Sequence, residues 1–215
     1  MTLRSSKGKF ITLEGGEGAG KSTSRAHIIE LLAINDIPFI QTREPGGTAL
    51  GESLREMLLA TTSIPPSVET ELLLVFAARA QHLHEVIEPA LAEGTWVLCD
   101  RFTDATYAYQ GYGRGFDLGI ISMLEGIVQK GRQPDLTLLF DLDPEVGIER
   151  ARNRAALDRF ELEQLEFFHR VREGYLSRAK ALERFEVIDA SLPIEEVQKM
   201  LNGAIERFLR ETWHV

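Results

Sequence analysis

The sequence is poor in the features that mark several common classes of protein. It has one cysteine, Cys99, so no disulfide can form within the chain. That thiol lies in the apolar run Trp96-Val97-Leu98-Cys99 and reads as core packing in a reducing compartment, which points to the cytoplasm. No stretch approaches the ~20 apolar residues of a membrane helix. Positive charge is scarce: 24 Lys and Arg stand against 33 Asp and Glu, a formal net charge of −9. A non-specific nucleic-acid or anionic-membrane binder needs a cationic field, so neither partner is expected. Residues 1–8 are basic but lack the apolar run of a signal peptide, and are expected to be a flexible tail. No repeat, low-complexity tract or long linker divides the 215 residues, and no N-K-x-D stretch is present to read guanine as a regulatory GTPase does.

What is present is a chain 44% hydrophobic, enough for one domain with a real core. Its most informative stretch is Gly15-Gly16-Glu17-Gly18-Ala19-Gly20-Lys21-Ser22, which fits G-x-x-x-x-G-K-[ST] at every fixed position. Phe10 to Leu13 before it reads as a buried strand, and Thr23 to Ala33 after it as a helix. Glycines let backbone N–H groups converge on a polyphosphate at a helix N-terminus. Lys21 is then expected to reach the β- and γ-phosphates of a nucleoside triphosphate, and the Ser22 hydroxyl to ligate Mg²⁺.

Further strands are expected at 37–42, 95–99, 136–140 and 185–189. Helices are expected over 50–60, 68–87 (ending before Pro89), 103–112, 118–128, 162–182 and 193–210. Strands alternating with helices imply an α/β fold of three layers, a mostly parallel five-stranded sheet with helices on both faces. Ligands in such folds bind beyond the carboxyl ends of the strands, where Arg43, Asp100, Asp141 and the phosphate loop all fall.

A second substrate site can be assembled from three places. Phe76 and Arg79 share a face of the long helix, although Phe76 as plain core and Arg79 as a surface charge is the simpler reading of these two alone. Thr106, Tyr109 and Gln110 lie on one face of the helix after Asp100-Arg101, and Arg43 and Arg55 flank Pro45-Gly46-Gly47. Four arginines (Arg150, Arg152, Arg154 and Arg159) crowd positions 150–159, either as a lid over phosphates or as a solvated face paired with Glu145, Glu149 and Glu161.

Taken together, these stretches resemble the thymidylate kinase family. The matching strings are Leu13-Glu14-Gly15 through Ser22, Thr42 through Thr48, Phe76-Ala77-Ala78-Arg79, Asp100-Arg101-Phe102 and Ala108-Tyr109-Gln110-Gly111, followed by the arginine run and Asp189-Ala190. The resemblance covers nearly the whole chain and implies transfer of the ATP γ-phosphate to dTMP. It implies that Gly15 to Thr23, including Gly16, Gly18, Ala19 and Gly20, hold ATP. Phe76 would stack on thymine, while Arg79, Thr106 and Gln110 read its edge. Tyr109 would lie against the deoxyribose and Glu17 would meet the 3′-hydroxyl. Arg55 and Arg101 would hold the acceptor phosphate, Glu44 would join the substrate site, and Asp100 would sit near Mg²⁺. Many members put the stacking aromatic four residues before the arginine, where this chain has Val75. The phosphate loop carries no cation beyond Lys21, so the chain looks like the bacterial subgroup whose catalytic arginine comes from a lid at 150–160, with Arg154 first and Arg152 second. The family also implies a homodimer, with Leu72 to Leu83 as a candidate face. A kinase for another nucleoside monophosphate, or an ATP-binding regulatory module without phosphoryl transfer, are the alternatives.

Overall fold

A computed structural model of the protein describes residues 7–61, 64–152 and 159–212. Five strands form the sheet: β1 (Phe10–Gly15), β2 (Phe39–Arg43), β3 (Trp96–Asp100), β4 (Leu136–Asp141) and β5 (Phe185–Asp189). Their order is β2-β3-β1-β4-β5 and every pairing is parallel, in the register Ile11↔Leu98 on one side of β1 and Ile11↔Leu136 on the other. β1 is central and wholly buried. From β1 the chain goes to β2 at one edge, returns to β3 between the two, and then crosses over to β4 and β5 on the other side of β1, which opens a crevice at the carboxyl end of β1.

Alternation along the strands sorts side chains into cores on opposite faces. Ile11, Leu13, Trp96, Leu98, Leu138 and Phe140 pack with Ile28 and Leu32 of α1 (Lys21–Ile34) and with Leu201, Ile205 and Phe208 of α9 (Ile194–Thr212). The intervening residues face the other way. Phe10, Val97 and Cys99 meet Leu83, Ile87 and Leu91, while Leu139 meets Phe167, Phe168, Val171 and Tyr175 of α8 (Leu165–Ala181). Cys99 is fully buried, its thiol donates to the Arg101 carbonyl at 3.0 Å, and burial pushes its pKa well up. No described helix is long and apolar enough to cross a membrane.

The remaining helices are α2 (Ala49–Leu59), α3 (Val68–His82), α4 (Glu88–Ala92), α5 (Thr103–Thr106), α6 (Leu118–Gln129) and α7 (Pro144–Arg152). One sequence expectation needs correcting. The helix that begins at Val68 does not stop before Pro89. It widens into a π-helical turn at Leu83–Ile87 and resumes as α4, where Pro89 sits in the first turn. There a missing N–H breaks no bond that the new segment needs. A second π-helical turn, Tyr107–Gly113, follows α5 and carries Tyr109 and Gln110, both buried. Residues 153–158 of the arginine run, Arg154 among them, and residues 1–6 of the expected tail lie outside the described residues.

Leu138 is fully buried in the central core. Leu138→Ala should therefore lower unfolding stability by about 2–5 kcal/mol, read from the midpoint of urea unfolding, and exposed Ile34→Ala should change it little.

Candidate active site

The loop between β1 and α1 obtains its shape from backbone conformations that side chains resist. Gly15, Gly18 and Gly20 have φ of 139°, 66° and 81°. Space enforces the choice at Gly18, where a Cβ would lie 2.1 Å from the Gly147 carbonyl oxygen, while a Cβ on Gly147 would lie 2.4 Å from the Glu17 oxygen. The loop and α7 thus meet backbone to backbone. Gly20 caps α1 with no side chain, and the first turn of α1 contains no acid, so its N-terminal N–H groups face the loop without an internal anion. Lys21 curls into this loop and donates to the Gly15 and Gly16 oxygens at 2.9 and 2.7 Å. Burial, and then the Arg101 charge, lower its pKa to about 8 against the opposing pull of Glu17, Asp100 and Glu14.

Loop residues Glu17 to Thr23 form one wall of a cleft completed by Arg43, Glu44, Arg55, Asp100, Arg101, Arg150 and Glu161. A neighbouring cavity is lined by Leu58, Val75, Arg79, Phe102, Thr106, Tyr109, Gln110 and Phe160. Glu17, Glu44, Arg55 and Arg101 line both spaces, so one ligand on the loop and another in the cavity would face each other across these four residues.

Two arginines in these walls, Arg79 and Arg101, are backed by carboxylates. Arg79, 1% exposed, donates through Nε to Glu44 at 2.7 Å and through Nη2 to the Thr106 hydroxyl at 2.9 Å and the Phe102 carbonyl at 3.1 Å. Its buried Nη1 has no hydrogen-bond partner among the described residues. Glu44 is gripped from its other oxygen by His82 Nδ1 at 3.0 Å, whose Nε2 meets the Thr42 hydroxyl at 2.6 Å. Arg101 donates to Glu17 at 2.6 Å and to the Tyr175 hydroxyl at 3.1 Å, and its guanidinium lies 4.7 Å from the Tyr109 ring centre. Tyr109 donates to the same Glu17 oxygen at 2.8 Å. The Arg101 backbone has φ 70°, a left-handed conformation that a non-glycine residue rarely adopts, and one that aims its side chain from the end of β3 back across the loop.

Most of the expected residues converge here, with differences. Phe76 is not among the residues lining the cavity. It is buried against Leu72, Tyr107 and Ile121, with the Arg79 guanidinium 5.0 Å from its ring centre, because its helical position points away from the side that Val75 and Arg79 share. Val75 lines the cavity in its stead, with Phe102 and Phe160 as aromatic walls. Glu44 meets the cavity chiefly as the support of Arg79. Asp100 and Ser22 face one cleft as oxygen donors, with Arg25 3.9 Å from the Asp100 carboxylate. Arg150 lines the cleft, Arg152 is exposed, and Arg159 is tied to Glu71 at 2.7 Å.

Sequence reading assigned no role to Glu14 or Tyr175. Glu14 is fully buried at the end of β1, accepting from the Phe102 N–H at 2.7 Å and from the Tyr175 hydroxyl at 2.9 Å. A glutamate inside an apolar strand was the available signal. Its partners lie 88 and 161 residues away in the chain, beyond the reach of local patterning.

The thymidylate kinase family model matches residues 13–201. A thymidylate kinase of Teredinibacter turnerae is 57% identical over 203 residues, covering 94% of this chain and 99% of that protein. One from Alcanivorax borkumensis is 56% identical over 200 residues, covering 93% and 96%. One from Pseudomonas putida is 56% identical over 205 residues, covering 93% and 98%.

Burial, reinforced by the charge of Asp104, pushes the Glu14 carboxyl up to about 7, against Arg101 and the hydrogen bonds from Phe102 and Tyr175. Between its ordinary 4.5 and about 7 the folded chain holds a proton that the unfolded chain has released. Stability contributed at this site is therefore lost as pH rises through that window. Glu14→Gln should remove this loss. Its melting temperature relative to the unsubstituted protein should rise by several degrees between about pH 5 and about pH 8. A constant difference across that range would show that Glu14 does not titrate there.

Proposed function

The chain belongs to the thymidylate kinase family and phosphorylates dTMP to dTDP with ATP, and we propose that the two joined spaces divide that work. ATP lies on Gly15 to Thr23, with its phosphates against the loop N–H groups and Lys21. The acceptor dTMP fills the cavity. The observation that carries this reading is Arg79 Nη1, a buried donor with no partner among the described residues, in the wall of a cavity that shares four residues with the phosphate cleft. A carbonyl of the base satisfies that donor. Thr106 and Gln110 complete the edge, and Phe102 and Val75 supply apolar surface where the sequence suggested Phe76. Tyr109 and Glu17 lie at the sugar, and Arg55 and Arg101 hold the acceptor phosphate.

No general base is needed, since a phosphate monoester is largely ionised at neutral pH, with a second pKa near ~6. The difficulty is bringing two anions together and stabilising charge on the transferring group. Arg55 and Arg101, at the meeting of the two spaces, and Lys21, in the cleft, serve that purpose. The donor set of Ser22 hydroxyl and Asp100 carboxylate suits Mg²⁺, a hard cation that takes few protein ligands and keeps water and phosphate oxygens. When bound it supplies charge neutralisation of the triphosphate. Residues 150–160 act as a lid within a single domain, delivering Arg154, with Arg152 second. Two copies pair through the apolar surface of α3 and α6. Leu72 and Leu83 are buried within the chain, and Leu73, Ala77 and Ala80 face outward beside Ile120, Met123 and Ile127. The protein works in the cytoplasm, consistent with its single buried thiol.

Coupled ADP release over a panel of nucleoside monophosphates should show dTMP preferred, with dUMP poorer by the ~1–3 kcal/mol that one methyl contact is worth. Faster turnover of dCMP or GMP would overturn the base-site assignment. Arg154→Ala should lower kcat at least ~100-fold with dTMP binding and Tm nearly unchanged, as a contact made mainly in the transition state requires. Arg152→Ala should cost less, and near-normal kcat in both variants would make the stretch a solvated face.

A further inference from the structure

Glu71 is a heavily engaged carboxylate outside the roles assigned so far. It lies in the first turn of α3 yet is 1% exposed, so a helix-dipole role at the surface does not account for it. Its Oε1 accepts from Gln110 Nε2 at 2.8 Å and from Arg114 Nε at 3.3 Å. Its Oε2 accepts from Arg159 Nη2 at 2.7 Å and from Arg114 Nη2 at 3.3 Å. The two guanidiniums compensate a charge that could not otherwise stay buried. They are fixed in turn: Arg114 donates to Glu163 at 2.5 Å, and Arg159 to the Leu58 carbonyl at 2.8 Å.

The fourth donor is the informative one. Gln110 lines the acceptor cavity and is 3% exposed. Its amide offers NH₂ at one end and a carbonyl oxygen at the other, and either end can in principle face a ligand. An ionised carboxylate only accepts, so the end that faces Glu71 must be the NH₂. The carbonyl oxygen is then the end left for the cavity. Arg79, which lines the same cavity, has in Nη1 a buried donor with no partner among the described residues. The wall therefore presents one acceptor and one donor. That pair matches an imide edge, ring N–H beside carbonyl, as in thymine and uracil. It opposes cytosine at both positions, where a bare ring nitrogen meets the oxygen and an amino group meets the guanidinium.

We propose that Glu71 is a positioning residue for acceptor choice: through the Gln110 amide it sets the hydrogen-bonding sense of the cavity in favour of an imide base and against an aminopyrimidine. This rests on the assignment of the cavity to the acceptor base. In Glu71→Gln the replacement is isosteric but can donate as well as accept, so the Gln110 amide is free to turn its NH₂ toward the cavity.

The test is kcat/KM for dTMP and for dCMP, with KM for ATP measured alongside, in the unsubstituted enzyme, Glu71→Gln and Glu71→Asp. The aspartate keeps the charge facing Arg114 and Arg159 but is one methylene too short to hold Gln110. The dTMP/dCMP ratio should narrow at least about tenfold in Glu71→Gln, through a higher KM for dTMP and a gain on dCMP, with KM for ATP unchanged. A smaller narrowing is expected in Glu71→Asp, which also serves if the glutamine variant does not fold. A role in stability alone would lower both acceptors in proportion, and an unmoved ratio in the folded variants overturns the proposal. An unsubstituted enzyme that uses dCMP as well as dTMP would instead remove the base-site reading on which the proposal stands.

Discussion

A guanidinium withdrawn from water is costly unless a carboxylate compensates its charge. Three such pairings organise this protein: Glu44 behind Arg79, Glu17 behind Arg101, and Glu71 behind Arg114 and Arg159. Each carboxylate and its arginine come from different elements, so every pairing is also a tertiary tie. A net charge of −9 and a site for two phosphorylated substrates are therefore compatible. Acid is used locally to fix arginines in orientations that leave chosen donor atoms for the ligands.

The arrangement extends inward as well. Glu14 receives the Tyr175 hydroxyl, which itself accepts from Arg101, whose other nitrogen meets Glu17, where the Tyr109 hydroxyl also ends. The end of β1, α8, the end of β3 and the phosphate loop are thereby joined in one hydrogen-bonded chain behind the site. Its members hold one another in a single geometry, including an arginine with a left-handed backbone whose side chain lines both the cleft and the cavity.

Backbone proximity does for the glycine-rich loop what carboxylates do for the arginines of the cavity. Gly18 and Gly147 allow the loop and α7 to touch without side chains between them, so the loop is supported from behind while its N–H groups stay forward. α7 runs directly from that contact into the arginine-rich segment. The loop and the helix that carries Arg150 and Arg152 thus share one anchor.

The sequence by itself determined the sheet and its helices, because β1 and the other strands announce themselves by short apolar runs and the phosphate loop by fixed spacing of glycine, lysine and serine. It also determined which residues gather at the crevice, since Arg43, Asp100 and the loop all lie at strand ends. Three matters needed the tertiary structure. Periodicity put Phe76 and Arg79 on one face, and the two do touch, but the cavity takes Arg79 with Val75 and leaves Phe76 behind them, a distinction finer than one helical turn can express. Proline suggested an end at Pro89, whereas packing of Leu83, Ile87 and Leu91 on Phe10 and Val97 carries the helix through a π-helical turn. The partners of Glu14, Glu71 and Tyr175 were invisible in the string. A buried charge has meaning only through its partners, and those partners lie tens to more than a hundred residues away, where only the folded chain brings them into contact.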